Sequence, residues 1–217
     1  MSKLIGVLGG TFDPVHYGHL RPALEVMQQA GLDEVRFLPN RQPPHRTRPW
    51  LDADTRKKLI QLAIADEPGF VLDERELRRD GPSFMVDTLA DLRCDFPDAA
   101  LCLLLGSDAF AGFTQWKEWQ AILGLCHIIV MTRPGAELTS LPAQPAAVAA
   151  CISHDAHSLR NGLHGVILLQ SVTQLDISAS RIRECMQQGL STRYLLPDSI
   201  IDFLGQHREG EACNLKN

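Results

Sequence analysis

Near its start the chain carries an unbroken apolar run, Leu4 to Leu8, stopped by Gly9 and Gly10. After Thr11-Phe12-Asp13-Pro14-Val15-His16-Tyr17-Gly18-His19 come apolar residues at helical spacing: Leu20, Ala23, Leu24 and Met27. A run of this kind bounded by glycines reads as a buried strand, so the segment is a strand, a tight turn and a helix. Glycines let a ligand come close to the backbone, and a helix start offers unpaired N–H groups and partial positive charge to an anion. His16 and His19 stand three apart at that start, where helical geometry puts them on one face and lets both imidazoles reach one phosphate. Gly6, Gly9 and Gly10 make neither G-x-G-x-x-G nor G-x-x-x-x-G-K-[ST], which disfavours a dinucleotide oxidoreductase and an ordinary nucleoside triphosphatase.

Along the rest of the chain, strand-like runs alternate with helical patterns. Strands are expected at Glu34 to Leu38, Phe70 to Asp73, Leu101 to Leu105, His127 to Thr132 and Val166 to Leu169. Helices are expected over Asp52 to Ala65, from Ser83 as N-cap to Phe96, over Gln115 to Leu123, from Asp176-Ile177-Ser178 to Gly189, and between Pro197 and Gly205. The Ala- and Pro-rich stretch from Gly135 to Ala150 reads as an irregular or weakly helical connector. Apolar strands without polar alternation, separated by helices, imply an α/β fold: a doubly wound, Rossmann-like parallel sheet with helices on both faces. With 217 residues, 45% of them hydrophobic, one domain over residues 1–207 buries a full core, and residues 208–217 read as a frayed tail.

A formal net charge of −5, with no sustained basic run, argues against a nucleic-acid or membrane surface, although Arg41, Arg46 and Arg48 cluster locally. The six cysteines form no C-x-x-C and no regular framework, so a reducing cytoplasm fits better than a disulfide scaffold or structural zinc. No segment reads as a signal peptide or a membrane span. Ligands of such sheets bind beyond the carboxyl ends of the strands. The glycine turn, the loop from Asn40 to Arg46, Gly106-Ser107-Asp108 and the Ser178 helix start all follow strands, so they can meet in one crevice. There Ser178 is an N-cap candidate, while Ser180 and Arg183, three apart, can share an anion.

The run Gly9-Gly10-Thr11-Phe12-Asp13-Pro14-Val15-His16-Tyr17-Gly18-His19 resembles the signature of the nucleotidyltransferases that transfer AMP or CMP from a nucleoside triphosphate, and Ile177-Ser178-Ala179-Ser180-Arg181-Ile182-Arg183 resembles their second motif. The resemblance implies His16 and His19 as catalytic donors to the triphosphate, with Gly9, Gly10, Thr11, Phe12, Ser178, Ser180 and Arg183 around its phosphates. Pro43-Pro44-His45-Arg46, Gly81-Pro82-Ser83-Phe84-Met85-Val86-Asp87-Thr88-Leu89, Gly106-Ser107-Asp108 and Trp116-x-x-Trp119 look like the nicotinate mononucleotide adenylyltransferase branch. By that likeness the acceptor meets Asn40, His45, Arg46, Ser83, Phe84, Met85, Thr88 and Asp108. Trp116 would stack on the pyridine ring, and backbone N–H groups of the Ser83 to Thr88 helix start would meet its carboxylate. Trp119 reads as core packing. Phe84 stands where Tyr is usual, Met85 where a small polar residue is usual, and Arg46 where Lys is common, which keeps the charge but changes the geometry.

The implied activity is adenylyl transfer from ATP to nicotinate mononucleotide, giving deamido-NAD and pyrophosphate in NAD synthesis. Mg²⁺ is implied as carried by ATP, without dedicated protein ligands. The alternatives left open are another acceptor, nicotinamide mononucleotide or phosphopantetheine, and a nucleotide-binding module without turnover. Neither the oligomeric state nor the strictness of acceptor choice is legible in the chain.

Overall fold

The computed structural model describes residues 2–41, 49–133 and 145–214. His45, Arg46 and Arg48 lie outside them. Seven strands form one sheet: β1 (Leu4–Gly10), β2 (Glu34–Pro39), β3 (Phe70–Leu72), β4 (Ala100–Gly106), β5 (His127–Thr132), β6 (Ile152–Ser153) and β7 (Ile167–Ser171). All pairings are parallel, in the order β3-β2-β1-β4-β5-β7-β6. The chain lays β2 and β3 on one side of β1 and then crosses over to place β4 on the other. Strand order therefore reverses at β1 and β4, the position where doubly wound sheets open a crevice at their carboxyl ends.

Strand periodicity divides the core into two layers. From β1 and β4, Leu4, Leu8, Cys102 and Leu104 face one side, and Ile5, Val7, Leu101, Leu103 and Leu105 the other. The first layer is covered by α1 (Tyr17–Ala30), α2 (Ala53–Ile64), α8 (Ala179–Gln187) and α9 (Asp198–Asn214), through residues such as Val26, Leu59, Ile182 and Ile200. Behind the second lie α4 (Met85–Asp95), α5 (Ser107–Ala111), α6 (Trp119–Leu125) and α7 (Ala146–Ala149), through Leu89, Phe110, Ile122 and Val148. A short α3 (Arg75–Arg78) follows β3. Gly31 closes α1 in the left-handed region (φ 65°), donating its N–H to the Met27 carbonyl, a helix stop that favours glycine.

Several boundaries differ from those read in the sequence, each for a local reason. The helix expected over Gln115 to Leu123 is two pieces, a 3₁₀ turn at Phe113–Gln115 and α6, because Glu118 sits in the left-handed region (φ 52°). The N-cap of α4 is Phe84 rather than Ser83, and no side chain caps it. The last helix passes through Gly205, where the sequence reading ends it, and continues to Asn214, so the stretch read as a tail is mostly helical. Strand β6 and the short helices α3 and α5 were not visible to periodicity, being only two to five residues long. Within the Ala- and Pro-rich connector, residues 135–144 lie outside the described part, and the helical reading applies to α7.

Candidate active site

The turn between β1 and α1 turns its phenylalanine inward. Phe12 holds a positive φ of 48°, a conformation that costs a non-glycine residue about 1–3 kcal/mol unless its surroundings over-determine it. The surroundings do so: the ring is 2% exposed, 5.9 Å from the Phe37 ring and edge-on to His19 at 5.1 Å. Phe12 is thus core, and its side chain props a histidine.

His16 is the N-cap of α1 and His19 its third residue. Their rings lie 3.8 Å apart, and the His16 backbone N–H donates to His19 Nδ1 at 3.3 Å. That bond fixes the tautomer. Nδ1 is the acceptor, so the proton of neutral His19 rides on Nε2, the ring's remaining donor. Burial pushes the His16 imidazole down to about 4. Burial, and then the neighbouring His16, holds His19 well below the usual imidazole range. Both rings are therefore neutral at neutral pH in the unliganded protein. His16 Nδ1 is buried with no hydrogen-bond partner among the described residues, which leaves a polar atom for a ligand to satisfy. Gly18 explains the glycine between the histidines. A Cβ there would stand 2.9 Å from His16 Nδ1 and Cε1 and 3.2 Å from the Ile177 carbonyl, so only glycine lets α1 sit this close to the start of α8.

The second motif reaches the first across 170 residues. Arg183 Nη1 donates to the Asp13 carbonyl at 2.6 Å and lies 3.6 Å from its carboxylate, while Nη2 donates to Ser180 Oγ at 3.1 Å. Ser178 caps α8, its hydroxyl accepting from the Arg181 N–H. Asp13, not singled out in the sequence, ties this end together: its carboxylate also accepts from the Trp50 and Leu51 N–H groups at 2.8 and 2.9 Å. Arg56 is a second residue the sequence left hidden. Almost fully buried, it donates from Nη1 to the carbonyls of Thr11 (2.7 Å) and Asn40 (2.8 Å), joining the ends of β1 and β2. Asn40 Nδ2 in turn donates to Thr11 Oγ1 at 3.4 Å.

Beside this crevice opens a cleft of about 250 Å³. Its backbone floor is Gly9 and Gly10, its polar edges are Asn40, Ser83 and Glu76, and its apolar walls are Phe84, Met85 and Trp116. Trp116 stands edge-on to Phe113 at 5.9 Å, as does Trp119, which packs against the core. Thr88 does not line the cleft. It is fully buried below, donating its hydroxyl to Glu76 at 2.7 Å and accepting from Arg79 at 3.0 Å. Burial raises the Glu76 carboxyl above its ordinary range. The Ser83 hydroxyl accepts from the Arg41 N–H, and the Arg41 side chain is engaged with Asp80 at 2.6 Å. Asp108 is exposed in the first turn of α5, folded back over Gly106, and does not line the cleft.

The histidine pair and Arg183 gather where strand order reverses, which places this chain among the α/β proteins that handle nucleotides at the carboxyl ends of parallel strands. Comparison with known proteins narrows the class. The chain belongs to the cytidylyltransferase-like family, whose model matches residues 7–185. It is 47% identical over 198 residues, 91% of each chain, to a Halorhodospira halophila protein named "probable nicotinate-nucleotide adenylyltransferase". A Pseudomonas fluorescens protein of the same name is 43% identical over 215 residues, 99% of this chain and 100% of its own. Among solved structures, the Plasmodium falciparum nicotinic acid mononucleotide adenylyltransferase complexed with NaAD superposes with a TM-score of 0.68, covering 94% of this chain and 96% of that one. At 17% identity, that likeness concerns the fold.

Proposed function

We propose that this protein transfers the adenylyl group of ATP to nicotinate mononucleotide, giving deamido-NAD and pyrophosphate in NAD biosynthesis. The observation that carries the reading is the His16–His19 pair, neutral and with His19 Nε2–H free to donate, placed at a helix start against Arg183 and next to a cleft walled by an aromatic ring. Relatives bearing the corresponding name match over 91% and 99% of the chain, which supports the choice of acceptor.

In this reaction a phosphate oxygen of the mononucleotide attacks the α-phosphorus of ATP, and the bond from that phosphorus to the bridging oxygen breaks as pyrophosphate leaves. The nucleophile is already an anion, so no base has to remove a proton. What remains for the protein is positioning and stabilising charge. His19 Nε2–H and the His16 ring donate towards the oxygens that gain negative charge, and Arg183 with Ser180 holds the departing phosphates. Gly9, Gly10 and Thr11 bring backbone close to the nucleotide, Phe12 holds His19, and the Ser178 cap orients α8. Ser83, Phe84 and Met85 at the start of α4 receive the pyridine carboxylate, with Trp116 against the ring, while Asn40 meets the acceptor phosphate, a role also proposed for His45 and Arg46, which lie outside the described residues. Asp108, in the first turn of α5 just past β4 and outside the cleft, is assigned a ribose hydroxyl of the nucleotide.

Mg²⁺ belongs to the substrate, as MgATP. It takes hard oxygen ligands, and the nitrogen donors of the histidine pair suit it poorly, whereas triphosphate oxygens and water suit it well. When bound, it neutralises triphosphate charge. The reaction is one for the cytoplasm, where ATP is available; among the described residues no helix is long and apolar enough to cross a membrane.

The test is pyrophosphate release with MgATP and a panel of acceptors: nicotinate mononucleotide, nicotinamide mononucleotide and phosphopantetheine. Release that depends on nicotinate mononucleotide supports the reading, and release that follows another acceptor, or none, overturns it.

A further inference from the structure

The cleft carries two charges that no reading above uses to choose between acceptors. Glu76, 3% exposed, is a carboxyl group held in the wall by a hydrogen bond from the Thr88 hydroxyl. Lys117, next to Trp116, is the one cation among the described residues that line the cleft. Its Nζ stands 4.8 Å from the centre of the Phe84 ring, itself a wall residue, so the ammonium of this exposed side chain lies over the apolar face at the cleft mouth. Asp87 holds it there through both carboxylate oxygens at 3.3 and 3.4 Å, with Glu118 at 3.8 Å on the other side.

An acid and an amide on a pyridine ring have nearly the same shape, so shape alone separates them poorly. Charge separates them well. Any ionised fraction of Glu76 works against an anionic ligand, and a buried carboxylate is poorly screened. The neutral amide meets no such opposition. For the cleft to favour the acid, a cation must outweigh Glu76, and Lys117 is the one in position. Asp87 and Glu118 are both substantially exposed, so water can solvate them when the ammonium turns to a new anion.

We propose that Lys117 is a specificity-determining residue, its ammonium selecting a pyridine carboxylate over the corresponding carboxamide in the Phe84–Trp116 cleft. This rests on the adenylyltransferase reading above. The side chain takes no part in bond breaking; it sets which mononucleotide enters.

The experiment compares wild type, Lys117→Gln and Lys117→Arg. For each, direct calorimetric binding of nicotinate mononucleotide and nicotinamide mononucleotide is measured beside kcat and KM for both, with the KM for ATP as control. Lys117→Gln should weaken binding of the acid at least about tenfold and leave the amide nearly unchanged, so the acid-to-amide ratio collapses at constant ATP KM. Lys117→Arg should keep the preference. An unchanged ratio in Lys117→Gln, or an equal loss for both ligands, overturns the proposal. The two readings fail separately: acid-selective binding that depends on Lys117 without turnover sinks the assigned reaction alone, and acid-selective turnover that survives Lys117→Gln sinks the role of Lys117 alone.

Discussion

Replacing His19 by Asn should separate the two jobs of its ring. Nδ1 accepts the His16 N–H at 3.3 Å, a bond within the helix start, while Nε2–H is left to donate to phosphate. The Asn side-chain oxygen occupies roughly the place of Nδ1, so the cap survives, but no Asn atom reaches the place of Nε2. Loss of one preorganised donor to a developing negative charge costs about 2.7–4 kcal/mol, or roughly 10²–10³-fold in kcat. Stability should fall by only about 1 kcal/mol, the worth of the lost edge-on contact with Phe12. His19→Gln carries its amide farther out, near the place of Nε2, and should recover about tenfold over Asn. The assay is steady-state pyrophosphate release with MgATP and nicotinate mononucleotide, beside urea unfolding of each variant. Turnover near wild type in His19→Asn would refute the assignment, and so would a drop in kcat matched by a stability loss of several kcal/mol.

Arg56→Met removes two charge-assisted hydrogen bonds that tie Thr11 to Asn40 and strips two half-buried carbonyls of this donor; urea unfolding should show a loss of about 2–3 kcal/mol, and a variant as stable as wild type would discount the tie. Stability of the unliganded protein should also fall with pH. The unfolded His16 ring takes up a proton near 6.5 and the folded one only near 4, so stability is constant above the first value, is lost as pH falls between the two, and levels off below. From pH 7 to pH 5 this group alone contributes a loss of about 2 kcal/mol, which His16→Asn should abolish; an equal pH dependence in that variant rules the mechanism out. Gly18→Ala pushes a methyl against the His16 ring and the Ile177 carbonyl and should raise the KM for ATP severalfold with the sheet intact; unchanged kinetics would contradict the close approach.

The parallel sheet was legible because β1, β4 and the middle of β5 are buried on both faces and therefore apolar without alternation, a pattern no exposed strand needs. The meeting of the two motifs followed from both standing after strands, and the structure joins them through Arg183 and Asp13. What stayed hidden was hidden for physical reasons. Arg56 sits in a helix with Asp52, Asp54 and Lys57 around it, so its sequence neighbourhood reads as a solvated face, and only the fold turns it inward. Glu76 lies in a dense run of charges, Asp73 to Asp80, which gives no sign that one carboxylate lines a cleft. That the Phe12 ring packs into the core was hidden, because a positive φ at a non-glycine residue leaves no trace in composition. Thr88 fell to the same difficulty: the start of α4 was found, but which of its side chains point down into the core depends on the end of β3 and on α3, too short to predict.

The central claim is that the α-phosphorus of ATP moves to the mononucleotide. Incubating the protein with MgATP labelled at the α-phosphorus and nicotinate mononucleotide, then separating the products, tests it directly. The label should appear in the dinucleotide, with unlabelled pyrophosphate released in equal amount. Label that stays in ATP, or that emerges as free AMP or ADP, would contradict it.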